Sequence, residues 1–443
     1  MVFPGGWQPG VKRVWTPPIR LLVFRSRLSA SNGEERTKPM RSIMLLALLA
    51  ALSVCMPNAA RAEGDLPTLT NYLSDELYQK AVPWENCDDS ALAAVMKKAE
   101  RGEDITVALI GGSITEGTIS NGSKDGEVPF KLAYAEIFRR WWAERFPNVK
   151  VTYVNAGIGG TDSYLGVHRL RMDVLSKKPD VVLVEYAVND DGSKPMYKVS
   201  YDSLVRRILE SETKPAVLLL FMGQTNGATA EGIQAQIGSA YRLPMVSYID
   251  VIKAAMKDGT YPAKVLSGDT VHPSALGHAL TGEILWRYLN GVYARRDSLG
   301  EPVPFAAVAF TQDKYQNPKL FSGGNLIPDD KGSFITGTGS TCWHYQRGWV
   351  NQQGAGNFTA TLTFRNLGIL YQRTVDGKSG KYDILVDGKR AGTIDGHFPN
   401  GWGNAITATE IFSGEESAPH TVTVTQADGS DGKLILLGFL TSD

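Results

Sequence analysis

The sequence predicts two domains, a three-layer α/β domain with a parallel sheet followed by an all-β sandwich. Five short apolar runs alternate with longer amphipathic segments between residues 89 and 294. A turn-rich junction follows at residues 297–304, and beyond it only short β-type runs remain. A chain of 443 residues is also longer than one ordinary core supports. The predicted bounds are 89–296 for the α/β domain and 304–443 for the sandwich.

The first 62 residues contain the pattern of a secretory leader. Met40 and Arg41 precede the apolar run Ile43–Leu52, and Ala60-Arg61-Ala62 is a small-x-small cleavage pattern. This predicts a secretory signal peptide over residues 40–62, with a buried helix or a membrane anchor as the alternative. Residues 1–39 are interpreted as a disordered extension from a start codon assigned too early, and 63–88 as a connecting arm. The expected location is periplasmic or extracellular, without stable membrane insertion after cleavage.

The charge of the chain limits the classes of binding partner, and its cysteine content limits the possible disulfide bridges. Residues 1–62 hold nine Lys and Arg but two Asp and Glu, so the remainder has 37 basic and 44 acidic residues, a net charge of −7. An acidic chain argues against nucleic acid as a partner. Cys87 and Cys342 remain after the predicted cleavage. An exporting compartment permits a bridge between them, and the sequence leaves open whether they pair.

The strands of the α/β domain are predicted from near-continuous apolarity, which is typical of strands covered on both faces. The runs are Ile105–Ile110, Val149–Val154, Val181–Tyr186, Val217–Met222 and Met245–Ile249. The intervening helices include Phe130–Phe146, Tyr164–Leu175 and Ser274–Tyr293. Ligands of such sheets bind beyond the carboxyl ends of the strands. Functional residues are therefore expected at that edge.

The second domain shows strand-length runs separated by Asp-Gly turns, as in an antiparallel sandwich. The clearest runs are Phe358–Phe364, Tyr382–Val386 and Thr421–Thr425. Its aromatic residues lie in Gly-rich and Asn-rich stretches, where they can stack on sugar rings or fill the core. They are Trp343, Tyr345, Trp349, Phe398 and Trp402. Trp343 and Trp402 are the candidate carbohydrate contacts.

Ser113 is the candidate nucleophile. It follows the first strand through Gly111 and Gly112, and two glycines let the backbone turn sharply and expose the serine at a helix N-terminus. A flexible Gly-Gly-Ser turn is the alternative.

His272 is the candidate general base, with Asp269 orienting its imidazole, because an Asp and a His three residues apart can project from one loop. A surface Asp-x-x-His pair is the alternative.

Asn189 and Gly160 are candidate oxyanion donors. Asn189 closes the third strand, where its amide could donate, although Asn189-Asp190 could equally cap a helix or turn. Gly160 could donate its backbone N–H, because a residue without a Cβ lets substrate approach closely. The N–H of Ser113 would be the third donor. Of the other histidines, His278 is expected to be structural. His344, His397 and His420 fall in the second domain, where a role in the Ser113 site is not favoured.

The ordered segments Gly-Gly-Ser, Asn-x-Gly-x-x-Gly, x-x-Asn-Asp and Asp-x-x-His-Pro resemble the SGNH (GDSL-like) hydrolase superfamily over about residues 103–294. The resemblance implies a flavodoxin-like sheet, Ser113 as nucleophile, His272 as base and Asp269 as its orienter. It also implies an oxyanion hole of Ser113 N–H, Gly160 N–H and the Asn189 side chain. The second domain resembles the jelly-roll partners of secreted carbohydrate esterases.

The chain departs from the superfamily pattern at two positions. Gly112 replaces the usual Asp before the serine, and Ala187 replaces a usual Gly before Asn189. Residues 155–169 resemble a branch that often carries an extra β domain. His168 and Arg169 there are candidate substrate contacts, with a structural role as the favoured alternative.

These observations predict a secreted serine esterase that removes acyl groups, foremost acetyl, from carbohydrate. The alternatives are a lipid esterase or thioesterase, an O-acyltransferase, and a catalytically inactive glycan-binding protein. No zinc-binding His-Glu-x-x-His, paired Cys-x-x-Cys or phosphate loop is present, so neither a metal nor another cofactor is expected.

Overall fold

The computed structural model describes residues 72–126, 128, 130–305, 308–337, 340–352 and 356–443. The predicted extension 1–39, the signal peptide 40–62 and residues 63–71 of the predicted arm lie outside the described residues. All described residues belong to one compact unit.

Five parallel strands form the first sheet, in the order β2-β1-β3-β4-β5. Their bounds are β1 Ile105–Gly111, β2 Val151–Gly157, β3 Val181–Glu185, β4 Ala216–Phe221 and β5 Met245–Ser247. This strand order is that of flavodoxin-like sheets, whose switch point lies between β1 and β3. The predicted α/β fold class is confirmed.

Ten α-helices are assigned within the described residues. They are α1 Asp75–Ala81, α2 Ser90–Glu100, α3 Ser113–Glu116, α4 Tyr134–Arg145, α5 Ser163–Asp173, α6 Pro195–Leu209, α7 Glu231–Ala240, α8 Tyr248–Asp258, α9 Ala263–Leu266 and α10 Ala275–Arg295. Several begin at side-chain caps that satisfy a free backbone N–H. Asp162 caps α5, Ser247 caps α8 and Ser274 caps α10.

Alternation along the strands divides the interior into two cores. Val107 and Leu109 of β1 join one core, with apolar residues of α2, α4, α8 and α10. Ala108 and Ile110 face the other, with residues of α5, α6 and α7. Burial on both faces explains why these strands are almost uniformly apolar.

The remaining strands form one antiparallel sheet of eight. They are β6 Lys319–Phe321, β7 Ile335–Thr336, β8 Trp349–Asn351, β9 Phe358–Arg373, β10 Lys381–Val386, β11 Lys389–Asp395, β12 Ala405–Gln426 and β13 Leu434–Ser442. Core-facing positions of β9 switch from even to odd numbers between Phe364 and Leu367, where bulges interrupt its pairing with β12. Such irregularities let a strand turn the corner between two layers. Phe358 of one half packs on Trp349 and Phe439 of the other, so the sheet encloses its own core.

The antiparallel sheet and its loops (residues 319–442, called the β part) also pack on the portion that contains the parallel sheet (the α/β part). Leu436 and Phe439 of β13 face the sandwich core, whereas Ile435, Leu437 and Leu440 join the core on the α5–α6 side of the parallel sheet. This shared core fixes loops of the β part relative to the ends of β1 and β2.

Cys87 and Cys342 are free thiols. No helix within the described ranges is long and apolar enough to cross a membrane.

Candidate active site

Ser113 is the first residue of α3, shortly after β1, and the two glycines that precede it lie close to neighbouring residues. A Cβ on Gly111 would lie 2.5 Å from the carbonyl oxygen of Glu185. A Cβ on Gly112 would lie 2.3 Å from Oδ1 of Asn189. A side chain at position 112, such as the Asp that the superfamily usually carries, would therefore require the Asn189 side chain to shift from its position in this structure.

The structure brings Ser113, His272 and Asp269 together in one chain of hydrogen bonds. Ser113 Oγ lies 2.9 Å from Nε2 of His272, and Nδ1 of His272 lies 2.8 Å from Oδ2 of Asp269. Because the carboxylate accepts the proton on Nδ1, Nε2 is left free to accept the proton of the serine hydroxyl. This geometry allows the imidazole to act as a base toward Ser113.

Asp269 also organises its own loop. Its Oδ1 accepts the backbone N–H groups of Val271 and His272, at 3.0 and 2.7 Å. Burial alone would raise the pKa of Asp269, but hydrogen bonds from the His272 ring and from these N–H groups outweigh burial and lower the pKa below its ordinary value. Asp269 is therefore ionised at neutral pH.

The sequence reasoning missed two serines that hold this loop. Ser120 Oγ and Ser267 Oγ both donate to the carbonyl oxygen of His272, at 2.6 and 2.8 Å. Ser120 also donates its backbone N–H to Pro273. Ser120 lies more than 150 positions from His272 in the sequence, so no local pattern indicates the contact.

Gly160 lies at the turn after β2, with φ of +70°, a value that favours glycine. Around it, Ile158 N–H bonds to Gly111, Gly159 N–H to Glu116 and Thr161 N–H to Ile158. Within the described part of the chain the N–H of Gly160 has no acceptor. It is therefore available to a ligand beside Ser113, as the oxyanion prediction requires.

Asn189 follows β3 and approaches Gly112 closely, which places its amide next to the nucleophile. Asp190 is buried and accepts hydrogen bonds from the backbone of Ser163 and the side chain of Gln234, both at 2.9 Å. Burial, together with nearby Asp162, raises the pKa of Asp190 well above its ordinary value. Ala187 has no positive φ, so the usual glycine is unnecessary there.

The expected contact of His168 and Arg169 with substrate is wrong. Both side chains are buried, at 2% and 1% exposure. His168 Nδ1 lies 2.8 Å from the carbonyl oxygen of Tyr164. Arg169 donates to the carbonyl oxygens of Gly111 and Ala156, at the ends of β1 and β2. Both residues are structural, which is the alternative that the sequence favoured.

Arg169→Ala is expected to lower the free energy of unfolding by roughly 3–5 kcal/mol, because it empties a buried side-chain site and removes hydrogen bonds to Ala156, Gly111 and Tyr186. Arg171→Ala is the matched control, since Arg171 lies on the same helix and is exposed. Urea denaturation of both variants measures the difference. Equal stability of the two variants would contradict the structural role.

Trp402 and Trp343 reach the site from the β part, and both are largely exposed, at 75% and 70%. The Trp402 ring would lie 3.3 Å from a Cβ on Gly160. Phe398 packs edge-on against Trp402, with ring centroids 6.3 Å apart. Tyr345 and Trp349, by contrast, are buried core residues. Trp402 therefore lies beside the turn that carries Gly160, and Trp343 directly precedes His344, whose Nε2 lies 3.4 Å from Glu116 of α3.

A buried polar network lies beneath α3. Thr115 donates to Glu185 at 3.1 Å and shares a 2.7 Å hydrogen bond with Tyr134. Tyr134 N–H donates to Nδ1 of His278, and burial lowers the pKa of His278 to about 4. His278 is thus a neutral structural residue, as predicted.

Glu185→Gln is expected to flatten the pH dependence of stability. Burial raises the pKa of Glu185 from 4.5 to about 7. Between these values the folded protein binds a proton that the unfolded chain has released, so stability falls as pH rises, by roughly 3 kcal/mol for this one group. Denaturant unfolding at pH 5 and pH 8 measures this. The free energy of unfolding of the variant, relative to that of the native chain, should be higher at pH 8 than at pH 5. Glu212→Gln removes an exposed carboxylate and should show no such increase. If the stability of Glu185→Gln depended on pH in the same way as that of the native chain, the raised pKa of Glu185 would be refuted.

Among the described residues, no group of three or more His, Cys, Asp or Glu side chains is arranged to hold a metal ion.

Comparisons with known proteins agree with this architecture. Residues 109–280 match the model of the GDSL-like lipase/acylhydrolase family. None of the curated protein sequences compared with the chain matches it.

Two similar crystal structures are of a two-domain esterase (CEX) active on acetylated mannans, one of them co-crystallised with mannopentaose. They are 28% and 29% identical to this chain, each covers 83% of it and 98% of its own length, and their TM-scores are 0.72 and 0.73. Axe2, an acetylxylan esterase from Geobacillus stearothermophilus, is 20% identical over 42% of this chain and 95% of its own, with a TM-score of 0.35.

The family match spans all four sequence segments, and the similarity to a two-domain esterase extends through both parts of the chain. Residues 109–280 therefore form a GDSL-like lipase/acylhydrolase domain, and this protein is a carboxylic ester hydrolase.

Proposed function

We propose that the protein is a secreted serine esterase that removes O-acetyl groups from carbohydrate through an acyl-enzyme intermediate. The observation that carries the proposed mechanism is the chain of hydrogen bonds from Ser113 through His272 to Asp269. Secretion is proposed from the signal-like pattern of residues 40–62 alone.

In the first half-reaction, Ser113 Oγ attacks the ester carbonyl carbon while His272 Nε2 takes the hydroxyl proton. The carbonyl oxygen becomes an oxyanion that accepts from the N–H groups of Ser113 and Gly160 and from the Asn189 amide. The carbon–oxygen bond to the sugar then breaks, and the imidazolium returns its proton to the leaving alkoxide. Asp269 stabilises the imidazolium but keeps no proton.

In the second half-reaction, water attacks the acyl-enzyme and gives one proton to His272. The bond to Ser113 Oγ breaks, and the serine regains the proton from the imidazolium. Acetate and free enzyme result. No further reactant is needed, because water supplies both the hydroxyl of the acid and the balancing proton.

A carbohydrate substrate is supported by what surrounds the serine. Trp343 and Trp402 are largely exposed, and exposed aromatic rings suit the apolar faces of sugar rings. A cavity of about 520 Å³ has Asn189 in its lining, together with polar side chains such as Ser193, Gln224 and Thr229. A polar cavity suits hydroxyl-rich substrates better than a long acyl chain. Similarity to an esterase active on acetylated mannans agrees with this proposal.

Release of acetate from a panel of acetylated oligosaccharides, with acetylated manno-oligosaccharides first, tests the proposal. We expect acetate from them and, on p-nitrophenyl esters, a rate that falls from two-carbon to eight-carbon acyl groups. A preference for long chains without acetate release would indicate a lipid esterase or thioesterase. Transfer of acetyl to added sugar in preference to water would indicate an acyltransferase, and binding without turnover a glycan-binding protein.

A further inference from the structure

We propose that Glu116 is a positioning residue that holds the Gly159–Gly160 turn in the geometry of the oxyanion hole, and that His344 of the β part holds Glu116. This inference deepens the proposed function and rests on it. Glu116 is the last residue of α3, three positions after Ser113.

The contact with the turn is direct. Glu116 Oε2 accepts the backbone N–H of Gly159 at 2.7 Å. A Cβ on Gly159 would lie 3.0 Å from that oxygen and 3.7 Å from the Cβ of Ser113, so the turn passes between the carboxylate and the nucleophile. The peptide that follows Gly159 carries the unbonded N–H of Gly160. Restraining Gly159 therefore restrains the direction of the proposed donor.

The rest of the turn does not restrain that peptide in the same way. Ile158 N–H bonds to Gly111 at 3.1 Å, and Thr161 bonds back to Ile158 through both its N–H and its hydroxyl. These contacts fix the two ends of the turn. The hydrogen bond to Glu116 is the contact that fixes its middle to α3.

His344 supplies the second link. Its Nε2 lies 3.4 Å from Oε1 of Glu116, and the Trp343 ring lies against the His344 ring at an angle of 31°, with centroids 3.5 Å apart. The hydrogen bond from His344 is the largest of several effects that lower the pKa of Glu116, together with the Gly159 N–H and against the effect of burial. An ionised carboxylate accepts a stronger hydrogen bond than a neutral group.

Pairing also limits the electrostatic cost of a carboxylate beside a developing oxyanion. An unshielded negative charge at this position would oppose the transition state by repulsion. Donors on both carboxylate oxygens draw its charge toward Gly159 and His344. The loop that carries His344 is itself fixed, because Tyr345 is buried in the core shared with the α/β part.

The test compares steady-state kinetics on p-nitrophenyl acetate for Glu116→Ala, Glu116→Gln and His344→Ala. Removing a whole oxyanion donor typically costs 10²–10³ in kcat, so a misdirected donor should cost about 10- to 100-fold in Glu116→Ala, with KM changed less than about 3-fold. Glu116→Gln should recover most of kcat, since its amide oxygen can still accept from Gly159. His344→Ala should lose a few-fold.

An alkylboronic acid provides a readout that a merely structural role would not move. Its tetrahedral adduct with Ser113 places an oxygen in the proposed oxyanion hole, so its inhibition constant should rise in parallel with the loss of kcat. Glu136→Ala, which removes an ion-paired glutamate of α4, is the matched control and should leave both quantities unchanged. Thermal denaturation of every variant identifies any loss of folding.

A change of KM or stability without a loss of kcat in Glu116→Ala would overturn the inference. So would a Glu116→Gln variant as slow as Glu116→Ala, or boronic acid affinity that stays constant. Failure of the proposed function is distinguishable, because in that case Ser113→Ala would retain hydrolysis or the native chain would release no acetate.

Discussion

Ser113→Ala should lower kcat/KM on p-nitrophenyl acetate by at least about 10⁴-fold, because the acyl-enzyme cannot form without the nucleophilic oxygen. The substituted side chain loses one heavy atom at a partly buried position, so the variant should stay folded. Circular dichroism and thermal denaturation measure folding, and mass spectrometry should find no acyl-enzyme. Ser298→Ala, at the exposed end of α10, is the matched control and should retain full activity.

His272→Ala should be impaired to a similar extent, and the chain offers a close control for it. His420 pairs with Asp387 through Nδ1 at 2.7 Å, nearly the distance between His272 and Asp269. This second Asp–His pair lies in the β part and has no place in the proposed mechanism. His420→Ala should therefore leave kcat/KM unchanged, and a folded Ser113→Ala or His272→Ala variant with native activity would refute the mechanism.

Asn189→Ala should lower kcat by about 10²–10³-fold with a much smaller change in KM. The amide would donate most strongly to the oxyanion, which exists only in the transition state and intermediate, so its loss raises the barrier more than it weakens substrate binding. Steady-state kinetics on a two-carbon ester measure both constants. A parallel rise of the boronic acid inhibition constant should accompany the loss.

Asn290→Ala is the control for Asn189→Ala. Asn290 accepts hydrogen bonds from Trp141 and Arg145 and lies several turns along α10 from the site. Its substitution should leave kcat unchanged. If Asn189→Ala raised KM alone, Asn189 would be a substrate contact and the oxyanion hole would need another donor.

Most of the α/β framework could be predicted because its signals are local. Strand β3, predicted as Val181–Tyr186, ends at Glu185, and α10 differs from the predicted Ser274–Tyr293 by one or two residues at its ends. The helix predicted from Phe130 begins only at Tyr134, although Phe130 is buried against Ile137 and Ala279. Apolar periodicity does not distinguish a helical residue from an extended one that is equally buried.

The contacts between the two parts could not be predicted. Glu116 and His344 are 228 positions apart, and Trp402 lies beside Gly160 across a similar separation. The sequence reasoning assigned His344 to the second domain and did not favour a role for it in the Ser113 site, because nothing near it indicates which element it meets. The same reasoning offered Arg169 as a substrate contact, since its burial depends on the packing of α5 against the ends of β1 and β2.

The sequence by itself determined the alternation of strands and helices, and with it the shared edge at which Ser113, Asn189 and His272 emerge. That much follows because apolar period, glycine turns and helix caps act over a few residues, and parallel strands end at one side of a sheet. Only the tertiary structure decided how the β part sits on the α5–α6 face, which loop of it meets Glu116, and which polar residues become buried. Those outcomes depend on side chains from distant segments filling one close-packed core, and no short stretch of sequence encodes that fit.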